Sequence, residues 1–249
     1  MSIQAYRGIN PLMPRFGGVQ ATRAVQTGRW ADLKELFRQD GDMYLGEPPA
    51  VLTQTTGLSA RGLGEVLNTL CSDMRDLIRE ERKNHWGRPR ETWQGEHRDN
   101  QHWCRNIKRM REIAQAHSPK LKRQCGLTLD YIAGGTFGAV FKLTAGKQSY
   151  ALKVFPDLIN HHEALKAIHF THKNVRDLAH CYWADSQEGW LLMEYIDSGT
   201  QLEDREGPSF AELGVSVTDI GRHDDEIGDH NDINGIIVDY GSIGWYQKP

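Results

Sequence analysis

The sequence predicts an α+β protein, a mainly helical N-terminal region followed by a part built of strands that opens with a hairpin. Three observations lead there. Apolar residues recur at helical spacing between positions 30 and 117, and the period changes to strand alternation near Leu127. A glycine-rich hairpin around positions 132–140 then returns into a second apolar strand.

The elements follow in chain order. Residues 1–28, with Asn10-Pro11, Pro14 and Gly17-Gly18, read as a flexible leader. From Trp30 a helix begins, with Trp30, Leu33, Leu36 and Phe37 on one face, and Glu47-Pro48-Pro49 breaks the pattern. A longer helix is expected over 59–83, its stripe formed by Leu63, Val66, Leu67, Leu70, Met74, Leu77 and Ile78. Another is expected over 100–117, bearing Trp103, Ile107, Met110 and Ile113. Ser118-Pro119 and the basic run Lys120-Leu121-Lys122-Arg123 mark the expected junction, giving a helical region over 29–123 and a second domain over 124–249.

The second domain carries the chemistry. The run Ile132-Ala133-Gly134-Gly135-Thr136-Phe137-Gly138-Ala139-Val140 turns back into Tyr150-Ala151-Leu152-Lys153-Val154, with Lys153 fifteen residues after Gly138. Such a hairpin can be purely structural, with the lysine stem lying along apolar surface. It also suits nucleotide phosphates, which need close backbone amides and a fixed cation. Next come a helical stretch from His161 with Glu163 placed to turn toward Lys153, and an apolar strand, Gly189 to Ile196, ending in a polar turn at Glu194-Tyr195. A buried strand, Ile236-Ile237-Val238, then delivers Asp239 onto a glycine turn, where a carboxylate is a hard ligand suited to magnesium.

In this order the segments resemble the protein-kinase superfamily over Leu127 to Trp245. Ala133, Gly135, Gly138 and Val140 fall on the family's glycine loop, residues 150–154 on its V-A-I-K strand, and Asp239-Tyr240-Gly241 on its D-F-G. The resemblance implies a minimal kinase-like fold with a much reduced C-terminal lobe and ATP and magnesium as cofactors. It implies nucleotide contacts from Gly134, Gly135, Gly138, Val140 and Lys153, with the Gly134–Gly138 loop and the lysine on the phosphates, a Glu163 ion pair to that lysine, and adenine contacts at Glu194 and Tyr195. Asp219 falls at the catalytic base, with Asp224 five residues on and Asp239 as magnesium ligands. A second register takes Asp224 as base and Asp229 or Asn231 as metal ligand. The family's H-R-D becomes Val217-Thr218-Asp219, a departure that keeps a pseudokinase-type interaction module open as the alternative. Nucleotidyl transfer such as adenylylation is another.

Beyond Gly241 only eight residues remain, too few for an activation segment and substrate-docking helices. The N-terminal helices are therefore expected to pack beneath the catalytic loop in place of the missing lobe. This brevity resembles secreted bacterial effector kinases, which implies a host protein substrate and delivery into a host cytosol.

Composition narrows the rest. The formal net charge is −3, basic residues outnumber acidic ones from Arg75 to Arg123, and between Glu203 and Asp239 the cations are Arg205 and Arg222. Trp86, Trp93 and Trp103 within the basic stretch read as core anchors beside a solvated face rather than as a nucleic-acid surface. Cys71, Cys104, Cys125 and Cys181 have no C-x-x-C spacing, which suits a reducing compartment and gives no zinc framework. His161, His162, His169 and His172 lack a matching ligand set and read as helix histidines. The stretch Asp229 to Gly235 lacks the closing glutamate of a calcium loop. No membrane partner is expected, because no apolar run reaches spanning length.

Overall fold

The computed structural model describes residues 44–86, 101–134, 138–155, 161–185, 188–217, 232–238, 240 and 243–246. The expected leader and the helix from Trp30 to Phe37 lie outside them. The protein is α+β, as the patterning predicts, and it divides into two compact units. The division does not fall at the expected 123/124 junction.

One unit comprises Pro48–Leu158 with Glu188–Leu192. It begins with helix α1 (Ala50–Thr56), helix α2 (Ala60–Trp86) and helix α3 (Gln101–Cys125). A meander of strands β2 (Leu127–Gly134), β3 (Ala139–Ala145) and β4 (Gln148–Val154) follows, antiparallel throughout. Gly146, at φ 61°, opens the two-residue loop between β3 and β4, where hairpin twist calls for a left-handed residue. Between β2 and β3 the register slips from Tyr131↔Phe141 to Ala133↔Val140, which leaves Ile132 as a bulge, 41% exposed, just before the glycine-rich turn.

Alternation assigns the two faces of the meander. Leu127, Leu129, Phe141, Leu143, Tyr150, Leu152 and Val154 share one buried face through their cross-strand register. Within this unit α3 packs on β2, α1 on β3, and α2 on both β4 and α3. The helices thus cover the meander, while the catalytic loop beneath which they are expected to stand lies outside the described residues. Their stripes explain the choice: Leu63, Leu67, Leu70, Cys71, Met74 and Ile78 on α2, and Met110, Ile113, Ala114, Leu121 and Cys125 on α3, are buried at three- and four-residue spacing. The α3 stripe continues past Pro119, so the helix does not stop near Ser118 as predicted. The Ser118 hydroxyl accepts a 2.9 Å bond from the Leu129 amide, which ties the helix to β2 at the proline. Gly126, at φ 74°, then makes the left-handed turn into the strand.

The other unit comprises Met1–Glu47, Ile159–Gln187 and Met193–Pro249. Strand β1 (Tyr44–Gly46) pairs antiparallel with β5 (Cys181–Asp185), and helix α4 (His161–His172) packs on both. Strand β6 (Trp190–Glu194) contributes its first three residues to the first unit and its last two to this one. A 3-10 turn (Leu202–Asp204) follows, then strands β7 (Val215–Val217), β8 (Asp232–Ile233), β9 (Ile236–Ile237) and β10 (Ile243–Tyr246). β7 pairs with β10, and β8 with β9. The β8–β9 turn is Asn234-Gly235, both at positive φ (53° and 78°), which is the residue pair a type I′ hairpin selects. Phe170 on α4 meets Phe210 edge-on at 5.1 Å in the core of this unit.

Candidate functional site

Strand β4 is buried from Tyr150 to Val154, and within that run the chain places a cation. Lys153 is 6% exposed and stands opposite Val140 of β3. Its ammonium lies 5.4 Å from the centroid of Phe155, two residues along, a cation–π contact worth about 0.5–2 kcal/mol. Burying an ammonium takes it from water at a cost of several kcal/mol unless charge or hydrogen bonds compensate, so a sheet keeps a lysine there only with partners. Beside it, Gly138 has a steric reason for being glycine: a Cβ there would lie 2.7 Å from Val154 O, in the backbone of β4. The end of the glycine-rich turn is thus pressed on the strand that carries Lys153.

The second unit holds a denser polar cluster at the end of β6. Arg205 donates from Nη1 and Nη2 to the two carboxylate oxygens of Glu194 at 2.6 and 2.9 Å, a bidentate pair with side chains 11% and 24% exposed. The same guanidinium donates from Nε to Arg176 O and from Nη2 to Leu178 O, each at 2.6 Å. Glu194 Oε2 also accepts the His180 amide at 3.1 Å, and the Glu194 amide donates to His180 O at 2.8 Å. Burial alone pushes the Glu194 carboxyl up, but the bonds from Arg205 and His180 and their positive fields outweigh it and hold it below its usual range. Burial holds the His180 imidazole below its usual range, and Arg205 adds to this against the pull of Glu194.

The segment after α4 is pinned from further directions. Asp177 accepts the Phe210 amide on both carboxylate oxygens at 3.0 and 3.1 Å, yet burial keeps its carboxyl above the usual value. Leu178 bridges Ile237 of β9, and the buried Tyr240 donates its hydroxyl to Ala179 O at 2.6 Å. Asn234 holds the β8–β9 turn in place by donating to Ser198 O and Thr200 O at 3.1 and 2.8 Å.

The sequence-predicted residues divide accordingly. Val140 and Lys153 are paired across β3 and β4, and Gly138 packs on β4. Gly134 ends β2, paired with Ala139, and Glu163 lies in the first turn of α4. Gly135, Asp219, Asp224, Asp229, Asn231 and Asp239 lie outside the described residues. Glu194 ends β6 with its amide engaged by His180, and Tyr195 follows it. Sequence reasoning misses Asp177, His180 and Arg205. The available signal is Arg205 itself, a cation in an acidic stretch. Among the described residues no group of three or more His, Cys, Asp or Glu is placed to hold a metal ion. A groove of about 240 Å³ runs between α2 and α3, with Glu65, Thr69 and Asp73 on one wall and His117, Lys120 and Gln124 on the other.

No family model, curated protein or solved structure matches this chain. The functional reading therefore rests on the residues themselves.

Proposed function

We propose that the chain is an ATP- and magnesium-dependent phosphotransferase of the protein-kinase type, acting on a protein substrate. The observation that carries the reading is Lys153, a cation buried in an antiparallel meander and following a glycine-rich turn whose last glycine is packed on the same strand. An ATP phosphate suits that pairing, since it accepts charge from a fixed ammonium and hydrogen bonds from close backbone amides. ATP would supply the phosphoryl group. Lys153 would orient its phosphates, Gly134, Gly135 and Gly138 would let the backbone approach, and Glu163 would hold the lysine head. Asp219 keeps the role of base, and Asp224 and Asp239 that of magnesium ligands, as the resemblance implies. The order of meander, helix and strand along the chain supports the same reading. Host delivery, as in effector kinases, is part of the proposal. Among the described residues no helix is long and apolar enough to cross a membrane.

The test is transfer from labelled ATP by the purified full-length chain, with γ- and α-labelled nucleotide compared and Lys153→Met as control. Transfer of the γ label to the chain or to a lysate protein, lowered at least about a hundredfold in Lys153→Met, is the expected result. Transfer of the α label would replace phosphorylation by adenylylation. Nucleotide-induced stabilisation without transfer would favour the interaction module, and neither effect would sink nucleotide chemistry altogether.

A further inference from the structure

The carbonyls of residues 176–179 alternate in their partners. Those of Arg176 and Leu178 accept from the Arg205 guanidinium, at 2.6 Å each. Those of Asp177 and Ala179 accept from the Ile237 amide at 2.9 Å and the Tyr240 hydroxyl at 2.6 Å, and the Ala179 amide returns a 2.9 Å bond to Ile237 O. One short segment therefore connects a guanidinium to both Ile237 and Tyr240, which lie two residues before and one residue after Asp239 in sequence. Glu194 fixes the other edge of the guanidinium by its bidentate pair, so Arg205 is held in one orientation.

We propose that Arg205 is a positioning residue for phosphoryl transfer, fixing Ile237 and Tyr240 on either side of Asp239 through the 176–179 segment. The inference rests on the phosphotransferase reading above. A carboxylate that acts on the reacting phosphate must be held within about half an ångström by its supporting bonds. Arg205 touches no reacting atom in this scheme and acts by removing the freedom of residues 176–179. Arg205→Met nearly keeps the reach of the side chain and deletes four hydrogen bonds, and Tyr240→Phe deletes one at the other end of the same connection.

The experiment compares the full chain with Arg205→Met, Arg205→Lys and Tyr240→Phe, by γ-label transfer kinetics and by amide exchange without nucleotide. Arg205→Met is expected to lower kcat at least about tenfold while KM for ATP changes less than about twofold, with Arg205→Lys recovering part of the loss. Tyr240→Phe, the variant least disruptive to folding, is expected to lower kcat about three- to tenfold with KM again unchanged. The Ile237 and Ala179 amides should exchange at least about tenfold faster in Arg205→Met, with β4 amides unaffected. Unchanged kcat in Tyr240→Phe and Arg205→Met, or unchanged exchange at Ile237 and Ala179, overturns the positioning role while leaving the phosphotransferase reading intact. Absence of transfer by the wild-type chain removes that reading, and with it the role of Arg205 in the reaction, whatever the exchange shows.

Discussion

Replacing Gly138 by alanine tests whether the glycine-rich turn is seated on β4. The added Cβ would lie 2.7 Å from Val154 O and 3.5 Å from Phe155 Cδ1, the first about 0.7 Å inside ordinary van der Waals contact at 3.4 Å. Val154 O belongs to a paired strand, so relief requires moving the start of β3 away from β4, and such overpacking costs about 1–3 kcal/mol. Alanine also restricts the unfolded chain, which offsets about 0.4–1 kcal/mol. The net loss is on the order of 1–2 kcal/mol, a fall in Tm of about 2–8 °C for a chain of this size. Gly146→Ala serves as the comparison, because its Cβ meets nothing within 4 Å and its only penalty is the left-handed φ of 61°, about 1 kcal/mol. Thermal unfolding followed by tryptophan fluorescence reads both. A Gly138→Ala protein that melts at or above the wild-type temperature would refute the close approach, and with it the steric reason for that glycine.

Other outcomes follow from the same geometry. Arg75 is 8% exposed and donates to Glu188 O and Oε2 at 2.7 Å each, so Arg75→Met should lower stability by about 1.5–3 kcal/mol in urea titration, with lysine restoring less than half. Gly207, at φ 111°, would drive a Cβ into the carbonyl oxygen of Asn174, and Gly207→Ala should cost at least about 3 kcal/mol and show as a loss of soluble protein. Burial of His169, helped by the charges of Lys173 and His172, holds its pKa at about 4. The folded state therefore excludes a proton that the unfolded chain accepts near pH 6.5, so this contribution is complete above pH 6.5 and is lost as pH falls toward 4. It amounts to at most about 3 kcal/mol, and His169→Phe should flatten urea stability across that window.

Strands β2 and β3 are legible in the sequence because one face of each is buried and the other is less so, which writes period-two alternation into the chain, whereas β4 is buried on both faces from Tyr150 to Val154 and reads as a short apolar run. Helices α2 and α3 are legible for the same reason at their own period. Pro119 misleads, since a proline usually ends a helix, but here Leu121 and Cys125 extend the buried stripe and Ser118 is anchored to Leu129. The packing partners of the helices are not legible, because an apolar stripe states that it is buried and not against what. Lys153 stands out as a lone cation among apolar neighbours. Arg205 stands out as a cation in an acidic stretch, but its role is hidden, because its partners lie 11 to 29 residues away in sequence, two of them backbone carbonyls and the third an acid with no local signature. Asp177 is hidden similarly, its bonds going to a backbone amide 33 residues on.

Strand β1 has a consequence for the order of events during synthesis. Its three residues pair with Trp183, Ala184 and Asp185, so they must wait for about 140 residues to be made before they find their partner. The α3–β2–β3–β4 stretch, by contrast, closes by contacts between chain neighbours and can form while the rest is still emerging. Once β1 is seated, a Cβ on Gly46 would overlap Tyr182 O, so the cover over β5 is close enough to leave no room for another strand. A version shortened past residue 47 would present β5 as a bare edge, and its characteristic failure would be self-association at that edge rather than unfolding.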